Sequence, residues 1–142
     1  MAATVVAVTA GCGNGEPGPA PLTGFTADLR ERIEPARDGL VRWKSTWWLR
    51  WTPAEGAREY LLYTGTSEGD STTPQVRRKP RYGIEVANGV SRRSQIERLR
   101  SQQVAFTAAQ LTISVAARYD DGKIGPRSVP YAVGEPVRRS RP

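Results

Sequence analysis

Residues 46–64 read TWWLRWTPAEGAREYLLYT, and this stretch decides the fold. In each half, large apolar side chains recur at every second position, which is the spacing of an extended strand with one buried face. Pro53 and Gly56 separate the halves and mark a turn. The residues that share one face are Trp47, Leu49 and Trp51 in the first half and Tyr60, Leu62 and Thr64 in the second. We therefore predict two consecutive β-strands joined by a short turn.

Three more segments show the same alternation. Residues 82–89 (YGIEVANG) predict a strand that ends at its closing Asn-Gly turn pair. Residues 111–119 (LTISVAARY) predict another, followed by an Asp-Asp-Gly turn at residues 120–122. Its inward-facing residues are Leu111, Ile113, Val115 and Ala117. Residues 128–135 (SVPYAVGE) predict the last strand.

Residues 91–109 (SRRSQIERLRSQQVAFTAA) are ambiguous. Ile96 and Leu99 have the spacing of a helical turn. Val104, Phe106 and Ala108, by contrast, alternate as in a strand. Because several short strands with turn signals between them surround this segment, the chain as a whole is predicted to be an all-β sandwich.

Residues 38–136 resemble a fibronectin type III domain, which is an immunoglobulin-like β-sandwich. In that family a strand tryptophan is followed by a proline-containing turn and a tyrosine in the next strand, as Trp51, Pro53 and Tyr60 are here. A second matching run contains Val115, Ala117, Gly122, Gly125 and Ser128. Leu111 stands where the family's tyrosine corner has its tyrosine. The resemblance implies a non-catalytic binding or interaction domain.

Residues 25–37 precede this domain and are predicted to form a short helical lead-in. Phe25, Leu29 and Ile33 recur at spacings of four, which places them on one face of a helix. Pro35 would end that helix. Such a short helix is stable only when its apolar face packs against another part of the protein.

The first residues resemble the N-terminus of a bacterial lipoprotein. Residues 1–11 are small and apolar, as in a signal peptide, and Ala10 and Gly11 precede Cys12 as in a lipobox. The resemblance implies cleavage before Cys12 and a diacylglyceryl group on its sulfur. A signal peptide begins with Lys or Arg, which residues 1–11 lack, so we expect a basic segment upstream of Met1.

The segment after the cysteine agrees with this interpretation. Residues 12–24 are rich in Gly and Pro and predict a disordered tether between the lipid and the domain. The expected location is the extracellular face of a cell membrane, or the medium if the anchor is absent. The alternative is a disordered N-terminus in which Cys12 has no function.

The composition argues against an enzyme. The chain of 142 residues contains no histidine and one cysteine, which excludes Ser-His-Asp and Cys-His catalysis and histidine-ligated zinc. No phosphate-binding glycine motif and no paired cysteine motif occurs in the sequence. We therefore expect no catalytic residues, no metal and no cofactor.

The charge points to anionic partners. Lys and Arg outnumber Asp and Glu by 21 to 14, a net charge of +7. Such an excess attracts nucleic acid, anionic lipid or acidic wall polymers, although solvated charges that protect strand edges explain it equally well. A basic tail covers residues 137–142. The candidate patch for an anionic partner consists of Arg77, Arg78, Lys79, Arg81, Arg92 and Arg93.

A second candidate surface is aromatic. Trp43, Trp48 and Tyr63 would form a binding face for sugar rings or a partner protein if their rings lay side by side on the surface. Packing of these rings beneath the predicted lead-in helix is the other explanation, and the one that we favour.

These observations predict a lipid-anchored surface domain that contacts a surface protein or an anionic wall polymer. Two alternatives stay open: a secreted sandwich that binds polysaccharide or protein, and a basic intracellular protein that contacts nucleic acid. Nucleic acid is the less expected partner, because among the basic runs only Tyr82 supplies an interleaved aromatic ring.

Overall fold

Two antiparallel sheets and one helix make up the protein in this computed structural model, which describes residues 18–138. The strands and the helix are β1 (Thr26–Pro35), β2 (Val41–Arg50), β3 (Ala57–Thr66), β4 (Gly69–Asp70), β5 (Gln75–Arg77), β6 (Arg81–Ser91), α1 (Ile96–Ala108), β7 (Thr112–Tyr119) and β8 (Tyr131–Ala132). The first sheet has the order β1-β2-β6. The second has the order β4-β3-β7-β8, and β5 also pairs with β3. The predicted all-β class is confirmed.

The core lies between the two sheets. Trp47, Leu49 and Trp51 contribute to it from β2 and its end, as their alternation predicts. Tyr60 packs edge-on against Trp51, with 5.3 Å between ring centroids and 75° between ring planes. The inward-facing residues of β7 also belong to this core, namely Ile113, Val115 and Ala117.

The segment predicted as a lead-in helix is the edge strand β1. It pairs with β2 in unbroken register from Thr26 opposite Arg50 to Pro35 opposite Val41. Residues four apart share a face in a strand as well as in a helix, so the spacing of the apolar side chains did not discriminate between the two. Pairing with β2 favours the strand, because a full ladder of backbone hydrogen bonds forms between β1 and β2. A two-turn helix would not form these bonds. The sandwich therefore begins before residue 38.

Residues 12–24 were predicted to form a tether, but the end of this segment belongs to the folded domain. Leu22 is buried in the core, and the carbonyl of Thr23 accepts a hydrogen bond of 2.9 Å from the backbone N–H of Thr52. The predicted signal segment, Cys12 and residues 139–142 of the basic tail lie outside the described residues. Val137, the first residue of that tail, exchanges two backbone hydrogen bonds with Ala27 at the edge of β1.

The ambiguous segment forms the helix α1 between β6 and β7. Val104 and Ala108 are partly buried on it, and the strand interpretation of these residues is wrong. The helix packs against the first sheet at the end where Trp43 and Ala87 lie. A separate small core lies beneath it, containing Trp43, Ala87 and Ile96.

Strand β6 continues through the Asn-Gly pair that was predicted to end it. Gly89 lies opposite Trp43, and a Cβ atom at Gly89 would lie 2.9 Å from the Trp43 ring atom Cζ2. Glycine is therefore present to make room for the ring, and no turn forms. By contrast, the predicted turn at residues 120–122 is confirmed, with Gly122 at a φ of 84° and its N–H bonded to the Tyr119 carbonyl at 2.9 Å.

The last predicted strand is mostly irregular. Only Tyr131–Ala132 pair as a strand, because Pro130 has no N–H for the ladder. The backbone of Ser128 still bonds to the carbonyl of Val115 at 2.8 Å, and that of Val133 bonds to the carbonyl of Leu111 at 2.9 Å. This segment therefore runs along β7 but extends the sheet only at Tyr131–Ala132.

Candidate functional site

The three rings of the predicted aromatic surface lie in three different places. Trp43 is 1% exposed beneath α1, and its Nε1 donates a hydrogen bond of 3.1 Å to Ser91 Oγ. Trp48 lies on the outer face of the first sheet, opposite Gly83. Tyr63 belongs to the second sheet, where the Arg127 guanidinium lies 3.6 Å from its ring centroid. The structure does not bring these rings together.

The predicted basic patch is also divided. Arg77 ends β5, Arg78 and Lys79 follow it, and Arg81 begins β6. Arg92 and Arg93 follow the end of β6. Because a strand rises ~3.3 Å per residue, the two groups are roughly 35 Å apart. They cannot contact one small anionic group together.

A different set of cations shares one surface, which we call the cationic face. It is the outer side of the first sheet, where alternate residues of all three strands point away from the core. Its positively charged members are Arg30 and Arg32 of β1, Arg42, Lys44 and Arg50 of β2, and Arg81 of β6.

Carboxylates balance only part of this charge. The cationic face carries three of them, on Asp28, Glu34 and Glu85, against the six cations. Arg30 lies 4.0 Å from Asp28 and Arg32 lies 3.1 Å from Glu34. Within residues 18–138, no carboxylate lies within 4.0 Å of the four remaining cations. The face therefore keeps an excess of positive charge that an anionic partner would complement.

One end of the cationic face forms a groove beside α1, which we call the distal groove. Its volume is about 450 Å³, and its charged lining residues are the cations Arg32, Arg42 and Lys44 and the carboxylates Glu34 and Glu85; the rest of the lining is Trp43, Asn88, Gly89 and Val90.

The opposite end of the face forms a smaller groove, which we call the proximal groove. Its volume is about 360 Å³, and it is lined by Arg50, Trp51, Lys79, Pro80 and Arg81. The Nε1 of Trp51 is buried and has no hydrogen-bond partner among the described residues. Lys44 and Arg50 are six residues apart on β2, so the two grooves are separated by roughly 20 Å.

Trp48 lies near the proximal groove. A Cβ atom at Gly83 would meet three atoms of its six-membered ring at 2.7–2.8 Å, so the ring lies flat over the Gly83 backbone. The guanidinium of Arg81 is 6.0 Å from the ring centroid. Stacking of this kind holds Arg81 on the outer face of the sheet.

Helix α1 is attached to the first sheet by polar contacts that the sequence did not reveal. Arg100 forms an ion pair with Glu31 of β1, and Ser45 Oγ donates a hydrogen bond of 3.3 Å to the same carboxylate. Gln103 bonds to the N–H and the carbonyl of Asn88 at 3.0 and 2.8 Å, which covers the free edge of β6. These contacts fix the wall of the distal groove.

Two tyrosines have shifted pKa values. Burial raises the pKa of Tyr82 above 10.0, and nearby Arg77 and Gln75 oppose that shift only in part. Burial also raises the pKa of Tyr131. Both phenols are neutral at physiological pH and contribute no charge to either groove.

Sequence reasoning identified Lys79 and Arg81 but missed the cations of β1 and β2. The alternation of residues 41–50 places Arg42, Lys44 and Arg50 opposite the core and was sufficient to find those three. Arg30 and Arg32 could be added only once β1 was known to be a strand.

Residues 18–138 contain no cluster of three or more acidic, histidine or cysteine side chains placed to hold a metal ion. None of the helices among these residues is long and apolar enough to cross a membrane. Comparison of the chain with protein families, curated proteins and solved structures finds no match.

Proposed function

We propose that this protein is a non-catalytic binding domain of the fibronectin type III type. It is held at the outer surface of a membrane by lipid on Cys12, and the distal groove at one end of its cationic face binds an anionic wall polymer. The observation that carries the binding role is the distal groove, where Arg42 and Lys44 lie without a carboxylate partner among the described residues.

The strand order supports the fibronectin type III assignment. In immunoglobulin-type sandwiches the first, second and fifth strands share one sheet, and the third, sixth and seventh share the other. Strands β4 and β5 both run along β3, so they count as one interrupted fourth strand. With that count, β1, β2 and β6 are the first, second and fifth strands, and β3, β7 and β8 are the third, sixth and seventh. The interrupted fourth strand belongs to the second sheet.

The position of the first buried residues is compatible with the anchor. Leu22, which is part of the core, lies ten positions after Cys12 in the sequence. An extended chain spans at most ~3.6 Å per residue, so an anchored domain would lie within roughly 35 Å of the membrane. Wall polymers that begin at the membrane would be within its reach.

Polymer binding is tested with the full chain carrying Cys12→Ser, which removes the lipid and leaves the domain intact. Isolated bacterial wall fragments that contain anionic polymer are mixed with the protein and sedimented. We expect binding that falls steeply between low and moderate salt, as a contact made by several cations requires.

Variants then locate the contact. R42E/K44E reverses two exposed charges in the distal groove, and we expect it to abolish sedimentation with the wall fragments. K79E/R81E changes the net charge by the same amount at the other end of the face and is the matched control. Equal losses in both variants would refute a specific role of the distal groove, as would undiminished binding to fragments stripped of anionic polymer.

A further inference from the structure

The two ends of the cationic face differ in their relation to the N-terminus of the described chain. The carbonyl of Thr23 accepts a hydrogen bond from the N–H of Thr52, two residues beyond Arg50, and the N–H of Trp51 donates one of 3.2 Å to the carbonyl of Pro80. Leu22 and Thr23 therefore lie at the same end of the sandwich as the proximal groove. The distal groove and α1 lie at the opposite end.

This arrangement orients the domain if Cys12 carries the anchor, and the inference rests on that part of the proposed function. The chain between Cys12 and Leu22 spans at most roughly 35 Å, which is close to the length of the ten-residue strand β2. In an anchored domain the proximal groove would therefore lie within roughly 35 Å of the lipid, whereas the distal groove could lie farther away by most of the length of β2.

The proximal groove has the chemistry of a phosphate site. Arg50, Lys79 and Arg81 line it, and no carboxylate is among its lining residues. Lys79 and Arg81 are exposed, and Pro80 between them has no N–H to compete for an anionic ligand.

We propose that the proximal groove binds the headgroup phosphate of an anionic membrane lipid and so holds the domain on the membrane with its distal groove facing away. Arg50, Lys79 and Arg81 supply the positive charge, and the stacking of Arg81 on Trp48 limits the freedom of its side chain. A lipid surface is favoured over a soluble phosphate because the tether length keeps this end of the domain close to the headgroups. Short-range attraction between such cations and an anionic leaflet falls off within a Debye length.

The test uses the full chain with Cys12→Ser, so that no acyl chain contributes to binding. Protein is mixed with phosphatidylglycerol-containing vesicles or with neutral phosphatidylcholine vesicles and separated by flotation. We expect flotation with the anionic vesicles only, and a loss of at least about tenfold in the partition coefficient for K79E/R81E. R42E/K44E is the matched control and should float as the parent protein does.

Soluble glycerol phosphate in the same assay distinguishes the two sources of phosphate. If the groove recognises the lipid surface, millimolar glycerol phosphate leaves flotation unchanged. Displacement by glycerol phosphate would assign a soluble phosphate compound to the groove and overturn the lipid proposal. Equal losses in the two charge-reversal variants would also overturn it, since they would show a dependence on net charge alone.

Failure here is distinguishable from failure of the proposed function. Lipid on Cys12 is detected by mass spectrometry and polymer binding by sedimentation with wall fragments, and neither readout depends on Lys79 or Arg81. Suppose that the protein is anchored and binds polymer but that its Cys12→Ser variant does not float with anionic vesicles. That result would disprove only the proposal that the proximal groove binds lipid.

Discussion

At the scale of single residues, two glycines of β6 make room for two tryptophans of β2. Gly89 faces Trp43 inside the domain and Gly83 faces Trp48 outside it. In both pairs the ring covers the glycine backbone, an aromatic-glycine pairing that compensates for the missing side chain in a strand. This explains why β6 tolerates glycine where a strand ordinarily disfavours it.

The fit at Gly89 leads to a prediction. Gly89→Ala places a Cβ 2.9 Å from the buried Trp43 ring, which is itself held by its bond to Ser91. We expect a loss of about 1–3 kcal/mol in the free energy of unfolding, the usual range for overpacking. Urea denaturation measures it. Gly125→Ala, where the nearest atom would be at an ordinary 3.5 Å, is the control and should cost much less.

The buried tyrosines predict the alkaline limit of stability. Because burial raises the pKa of Tyr82 in the folded state above the ordinary 10.0, the unfolded chain loses that proton first as the pH rises. The neutral phenol of Tyr82 therefore makes its full contribution to the free energy of unfolding below pH 10. That contribution is lost as the pH rises above 10. We expect the unfolding midpoint in urea to fall above pH 10, and to fall less in Tyr82→Phe. A parallel decline in both proteins would contradict the assignment to Tyr82.

At the scale of secondary structure, the sequence predicts elements whose core face is unambiguous. Strands β2, β3 and β7 each place large apolar residues at alternate positions against the common core, so the pattern alone identifies them. The pattern failed for β1, where Phe25, Leu29 and Ile33 fit either period and the neighbouring strand decided the outcome. It left α1 undecided, because its apolar side chains pack on parts of the chain far away in the sequence.

The candidate site was predictable only in part. The outward positions of β2 follow from its alternation, but the partners of those positions depend on pairing. Arg81 lies beside Arg50, and Asn88 beside Lys44, only because β6 pairs with β2 in one particular register. A shift between Ser45 and Thr46 sets that register, and the shift has no signal in the sequence.

The attachment of α1 provides a prediction at this scale. The Glu31–Arg100 pair is about three-quarters buried, with side-chain exposures of 26% and 27%, and Ser45 supports the carboxylate. We expect a coupling energy of about 1 kcal/mol from a double-mutant cycle with Glu31→Ala and Arg100→Ala, measured by chemical denaturation. The exposed pair Arg30–Asp28, separated by 4.0 Å, should give almost none. If the coupling energy of Glu31–Arg100 were as small as that of Arg30–Asp28, apolar packing alone would hold the helix on the sheet.

At the scale of the whole molecule, the domain presents charge at two ends of one sheet and attaches to its N-terminal segment at only one of them. The proposed anchor and the proximal groove share that end, and the distal groove is left for the polymer. This arrangement predicts a double dissociation: R42E/K44E loses wall polymer but keeps anionic vesicles, and K79E/R81E does the reverse. Flotation and sedimentation of the same two variants check it.

The central claim is that the domain works at a membrane surface. Its most direct test is the intact mass of the protein recovered from fractionated cells that make it naturally. We predict membrane-associated protein that begins at Cys12 and carries the added mass of a diacylglyceryl group. An unmodified protein that retains the residues before Cys12 and is found in the cytoplasm would contradict the claim.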